Sequence, residues 1–261
     1  MSERTYEEEI EEAHARRVAR LRSATGWLSL VDKVFLGEGM TKLHLPDGGF
    51  TGDLVVTGTR VELDGRVLKS DREGRADAVN VNGFVLELME RGESLALRVR
   101  DHRELPRPFA GIARFPVDRA WRKDARLERS AEEKELVLDF EGATGGGGVT
   151  DVFLSPGVLV FDHEGSTHRL EAVWESRARE RLFVLFRDRT SGAESYPLGR
   201  FLYAPAPSAD GATVLDFNLA MLPGCAFSVH ATCPIPPREN RLAIEVRAGE
   251  RFYEAKAIGE P

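Results

Sequence analysis

Along the chain the apolar positions change period once, near Trp27: helical before it, strand-like after it. Tyr6, Ile10, Ala13, Val18 and Leu21 mark one stripe of a helix over residues 5–24, and its other faces are charged, as in a helix laid on the outside of a larger body. Thr5 and Glu8 have the spacing of a capping box, in which each side chain satisfies the other residue's backbone N–H. Glutamates fill the first turns and Arg16, Arg17, Arg20 and Arg22 the last, which suits both ends of the helix dipole. Gly26 is expected to be the left-handed closing residue.

Short strands are expected beyond Trp27. Segments 54–57, 60–63 and 66–69 carry Asp64-Gly65 between the last two, a two-residue hairpin turn. Segments 84–90 and 94–100 meet at Arg91-Gly92, and 158–161 and 167–174 meet at Glu164-Gly165. Leu95, Leu97 and Val99 alternate with Ala96, Arg98 and Arg100, the period of a half-buried strand. Further strands are expected at 135–140, 182–186, 213–217 and 242–247, the last from alternation of Leu242, Ile244 and Val246 with Ala243, Glu245 and Arg247. The unbroken run Leu182–Phe186 suits a strand buried on both faces. Together these predict a mainly β fold, antiparallel sandwich or barrel-like sheets with one N-terminal amphipathic helix. The proline-marked stretch 101–116 is the expected junction, dividing the chain into a helix (1–26), a first β subdomain (27–116) and a second (117–261).

Composition narrows the function classes. The 261 residues carry a net charge of −7, a poor match for nucleic acid, whose phosphates need a basic surface. No apolar run approaches the roughly 20 residues of a membrane span. The acidic start, Glu7, Glu8, Glu9, Glu11 and Glu12, is the opposite of an export signal. With only two cysteines, a cytoplasmic protein with reduced thiols is expected.

Candidate chemistry gathers in the C-terminal half. Pro234, Pro236 and Pro237 make a stiff, extended segment between polar residues that follow apolar strands. Arg187, Arg200 and Arg241 could meet Asp188, Asp216 and Glu239 in one charged cluster. The expectation is a pocket for a polar or anionic small molecule held by forked arginine hydrogen bonds, with Arg187, Arg200, Asn218, Asn240 and Arg241 binding. If the protein is an enzyme, Asp188 or Asp216 would transfer protons, Tyr196 would donate and Arg200 would clamp the anion. That is cofactor-independent acid–base chemistry, hydrolysis or cyclisation. The alternative is a non-catalytic interaction or structural module whose Arg/Asp cluster is a salt-bridge network.

Other chemistries find less support. Cys225, His230 and Cys233 offer three metal ligands where structural zinc wants four, and His14, His44, His102, His163 and His168 show no paired spacing with them. No metal is expected. The thiols are expected to pack together, or to form a short-range disulfide in an oxidising compartment; His230 is the local base a catalytic cysteine would need. Gly145–Gly148 lacks the Gly-Lys-Ser/Thr ending of a phosphate loop and reads as a turn. No Gly-x-Ser-x-Gly elbow or dinucleotide fingerprint in a strand-to-helix context occurs, so no cofactor is expected.

The C-terminal motifs carry a resemblance: Phe186-Arg187-Asp188 with Thr190-Ser191-Gly192, Tyr196, Gly199-Arg200-Phe201-Leu202, Leu215-Asp216-Phe217-Asn218, Cys225-Ala226-Phe227, Thr232-Cys233-Pro234-Ile235-Pro236-Pro237 and Glu239-Asn240-Arg241-Leu242. In this order they resemble a bacterial and archaeal family known as domain of unknown function 1684. Gly26-Trp27-Leu28-Ser29-Leu30 and Leu97-Arg98-Val99-Arg100-Asp101 extend the likeness more weakly. The resemblance implies kinship and a mainly β fold, and it carries no activity over.

Overall fold

The computed structural model describes residues 4–72, 74–101, 103, 109–142 and 149–252. His102 and the Gly145–Gly148 run lie outside them.

Helix α1 spans Tyr6–Arg22 with Thr5 as its N-cap, and both halves of the capping box form with Glu8. It buries Ile10 and Leu21. Gly26 does not close it: its φ is −76°, and Ser23 is the C-cap. Glycine is needed at 26 for space instead, because a Cβ there would lie 2.1 Å from the Leu21 carbonyl oxygen.

Eight strands follow: β1 (Leu30–Phe35), β2 (Gly39–Thr41), β3 (Leu54–Thr57), β4 (Arg60–Leu63), β5 (Arg66–Val67), β6 (Ala78–Val81), β7 (Phe84–Arg91) and β8 (Ser94–Asp101). They form two antiparallel sheets, β1-β8-β7-β6 and β2-β3-β4-β5, which share one core of Leu54, Val56, Val61 and Leu63 against Phe84, Leu86, Leu88, Leu97 and Val99. The Asp64-Gly65 turn has positive φ at both residues, 50° and 77°, as a type I′ hairpin requires.

The rest of the chain supplies β9 (Arg122–Gly142), β10 (Val149–His163), β11 (Ser166–Trp174), β12 (Arg181–Phe186), β13 (Arg200–Pro205), β14 (Ala212–Asp216) and β15 (Thr232–Pro234). Their order is β13-β12-β11-β10-β9-β14, with β15 added on β9. The sheet nearly closes into a barrel. Thr213 Oγ1 donates to the Pro205 carbonyl at 2.9 Å, and Phe201 and Met221 exchange backbone hydrogen bonds of 2.9 Å. Trp121, Leu159, Phe161, Leu170, Phe186, Leu202 and Phe217 fill the interior. A bulge between Ser155 and Gly157 bends the β9–β10 hairpin. Its far half leaves the barrel and packs Leu138, Phe140 and Val149 on the outer side of β12, against Phe183 and Leu185. Strand β12 is therefore buried on both faces, as its apolar run predicts.

Two expectations are corrected. Strand β9 has 21 residues, and only its stretch 135–140 is apolar enough to read as strand. Residues 242–247 are not a strand. Leu242 and Val246 do point inward, but the backbone makes only scattered bonds, Leu242 N–H to the Arg187 carbonyl and Arg189 N–H to the Ile244 carbonyl, before an arginine side chain takes the Val246 carbonyl.

Candidate functional site

That arginine is Arg200. Its guanidinium donates to the carbonyls of Val246 (2.7 Å), Ala248 and Glu250 (3.3 Å), and it pairs with Asp188. Both side chains of the pair are 0% exposed. The other Asp188 oxygen accepts from the backbone N–H and the hydroxyl of Thr190. Burial lowers the Arg200 pKa, and the Asp188 charge and hydrogen bond oppose that shift. These bonds fasten the C-terminal segment to the start of β13, while Arg200 Nε is buried without a partner among the described residues.

Asp216 lies in a second set. Its carboxylate accepts from the Tyr6 hydroxyl at 2.9 and 3.0 Å and from Arg122 at 3.1 Å. The Asn218 amide donates to the Tyr6 oxygen (2.9 Å), the Asp118 carbonyl (2.8 Å) and Asp216 (3.2 Å). Asn240, fully buried, accepts from the Glu171 N–H at 2.7 Å and donates to the Glu171 and Leu185 carbonyls at 2.8 and 2.7 Å. β11 and β12 pair only at Val173–Phe183 and Trp174–Leu182, and the Asn240 amide bridges them where their own ladder has ended.

Arg187 and Arg241 form a third set. The Arg187 N–H donates to the Asn240 carbonyl (2.9 Å) and its carbonyl accepts from Leu242 (2.8 Å), so Arg187 and Arg241 face each other across a parallel bridge. Paired residues of a ladder share a face, and like charges placed so are unfavourable. Neither guanidinium has an ion pair or side-chain hydrogen bond among the described residues, and Arg187 Nε is buried without a partner. Gly199 makes room for the Arg187 stem: with φ +96°, a Cβ there would meet Arg187 Cγ and Pro236 Cγ at 3.0 Å.

Tyr196 belongs to a fourth set, which the sequence suggested only as a pair of thiols. It packs against Cys225 and Cys233, and the Cys225 backbone N–H donates to Cys233 Sγ at 3.0 Å. Both thiols are free. Leu30, Ala231, Trp27, Leu198 and Phe201 surround them. Cys233 lowers the Cys225 pKa, burial opposes this, and Tyr196 adds to the lowering. Burial, then Cys225, pushes Cys233 well up. Among the described residues no group of three or more His, Cys, Asp or Glu is placed to hold a metal; His230 faces Asp32 at 3.6 Å. No helix among them is long and apolar enough to cross a membrane.

The family model described as "Protein of unknown function (DUF1684)" matches residues 107–251, the stretch that holds the barrel and every residue of the four sets except Tyr6, Trp27 and Leu30. The chain belongs to this family. A solution NMR structure of an uncharacterized protein from Haloarcula marismortui is similar at 33% identity, covering 58% of this chain and 84% of that one, with a TM-score of 0.46. No curated protein matches. The signal missed in the sequence was Tyr6, which reads as one apolar helix position and serves as the donor to Asp216.

Proposed function

We propose that this DUF1684 protein binds a polar, anionic small molecule, and that the anion sits on Arg187 and Arg241. One observation carries the reading: two arginines share one rung of a β-bridge with no carboxylate paired to them among the described residues, where Arg187 Nε is also buried and unpartnered. A carboxylate or phosphate would relieve their repulsion and accept forked, charge-assisted hydrogen bonds. The prolines at 234, 236 and 237 stiffen the segment leading to Arg241. Asp188 and Asp216 have their oxygens engaged by the protein, which favours binding over the acid–base chemistry that would use them as proton carriers.

The test is calorimetric titration of the natural chain and of R187A/R241A with phosphate and with citrate. The expected result is binding that weakens at least about tenfold in the double variant, since a hydrogen bond to a charged group contributes about 1.5–3 kcal/mol. Binding that is equal in both proteins, or absent from the natural chain, overturns the proposal. The alternative of a non-catalytic structural module draws support from the fully enclosed Asp188–Arg200 pair, and the second of those outcomes would favour it.

A further inference from the structure

The thiol pair carries an inference independent of the anion seat. Cys225 lies in the short 3-10 turn Gly224–Ala226, where Gly224 is pressed so closely on the Trp27 ring that a Cβ would come within 2.6 Å of it. Cys233 is the middle residue of β15. The seven residues between them lie against the N-terminal sheets: Ser228 donates to the Leu30 carbonyl at 2.9 Å, and the Thr232 hydroxyl contacts Met89 Sδ at 3.8 Å. This strap returns the chain so that the Cys225 N–H donates to Cys233 Sγ at 3.0 Å. That contact with the Cys225 backbone brings the Cys233 sulfur within side-chain reach of Cys225.

We propose that Cys225 and Cys233 form a reversible dithiol–disulfide centre oxidised by hydroperoxides, with Cys225 attacking, Cys233 resolving and Tyr196 positioning. The roles follow from the surroundings. Cys225 is the more exposed of the two, 8% against 3%. Cys233 and then the Tyr196 phenol lower the Cys225 pKa against the effect of burial, which favours the thiolate, the reactive form. Burial and the charge of Cys225 keep the Tyr196 phenol protonated and able to donate. Lys33, on β1, lies close enough for its charge to interact with Cys233.

In the first step the Cys225 thiolate sulfur attacks one oxygen of the hydroperoxide and the O–O bond breaks. The departing oxygen takes a proton from solvent and leaves as alcohol, or as water when the oxidant is hydrogen peroxide. Cys225 is then a sulfenic acid. In the second step the Cys233 sulfur attacks the Cys225 sulfur, the S–S bond forms, the S–O bond breaks, and the hydroxyl leaves as water with the Cys233 proton. Two thiols are oxidised and one peroxide bond is reduced.

The test uses the folded full chain and hydrogen peroxide. Peptide mapping is expected to find one intramolecular Cys225–Cys233 disulfide, reversed by dithiothreitol. Oxidation is expected to raise the melting temperature, because the bridge restrains the unfolded chain. C233S is expected to accumulate a dimedone-reactive sulfenic acid at Cys225, and C225S none at Cys233. Y196F should still form the disulfide, about tenfold more slowly, through loss of a thiolate-stabilising donor. If either serine variant fails to fold, mapping of the natural chain still decides. Thiols that stay unpaired under peroxide in the native protein, or that pair only in denaturant, overturn the proposal. An unchanged rate in Y196F removes Tyr196 from it.

Discussion

Tyr6 and Asp216 are 210 residues apart, and the phenol donates to both carboxylate oxygens, at 2.9 and 3.0 Å. The bond ties the first turn of α1 to the end of β14. Asp216 also receives Arg122 and the Asn218 N–H that it caps, so one carboxylate anchors helix, barrel and turn. Burial, and then Asp216, push the Tyr6 pKa up, which keeps the donor protonated. Y6F should therefore cost about 1–2 kcal/mol at neutral pH, in the range for a partly buried bond to a charged acceptor. Urea denaturation of the two proteins measures it.

Arg200 and Arg187 should respond in opposite ways to the same replacement. Removing Arg200 leaves the Asp188 charge buried and three carbonyls of 246–250 without their donor, a loss of about 3–5 kcal/mol. R187A removes no ion pair among the described residues and should stay within about 0.5 kcal/mol of the natural chain. Thermal melting of the two variants checks this. A cooperative, unshifted transition in R200A would show that the pair does not hold the C-terminal segment.

Two acids predict opposite pH trends. Burial raises the Asp71 pKa, but the Arg91 hydrogen bond and charge, with Arg98, outweigh it and leave the pKa below 3.8. The stability Asp71 contributes is thus present above that value and drains as pH falls through the lower, folded one. D71N should be markedly destabilised at neutral pH and converge on the natural chain in acid.

Glu250 runs the other way. Burial lifts its pKa above 4.5, and Arg17 and the Leu222 N–H only partly offset this. Its contribution is full below 4.5 and lost as pH rises through the folded value. E250Q should therefore gain stability relative to the natural chain between acid and neutral pH. Melting curves across that range test both acids.

Gly224 should tolerate no side chain. A Cβ would stand 2.6 Å from Trp27 Cε2, and the indole is already flanked by Arg98 and Arg100 at 5.5 and 5.7 Å. G224A should cost about 1–3 kcal/mol, as overpacking does, readable as a lower denaturant midpoint.

Much of the fold was legible because its signals are local. The Thr5–Glu8 box, the Asp64-Gly65 and Glu164-Gly165 turns and the doubly buried β12 each depend on neighbours a few residues away. Strand β9 was only partly legible, since its first half, from Arg122 to Lys134, is mostly charged and pairs through the backbone. Residues 242–247 misled for the converse reason: the burial alternates as in a strand, but the backbone makes only isolated bonds to residues 187 and 189 before the Arg200 guanidinium takes the Val246 carbonyl. The candidate residues were found without their arrangement. Nothing local tells that Asp188 takes Arg200, that Asp216 takes Tyr6, or that Arg187 is left facing Arg241.

Helix α1 is gripped by groups that lie 205 to 233 residues further along the chain: Asp216 on Tyr6, and Leu222 and Glu250 on Arg17. During synthesis its apolar stripe has to wait, uncovered, until the barrel that receives it has been made. Docking of the helix is therefore a late step of folding, since its contacts close the longest loops of the chain.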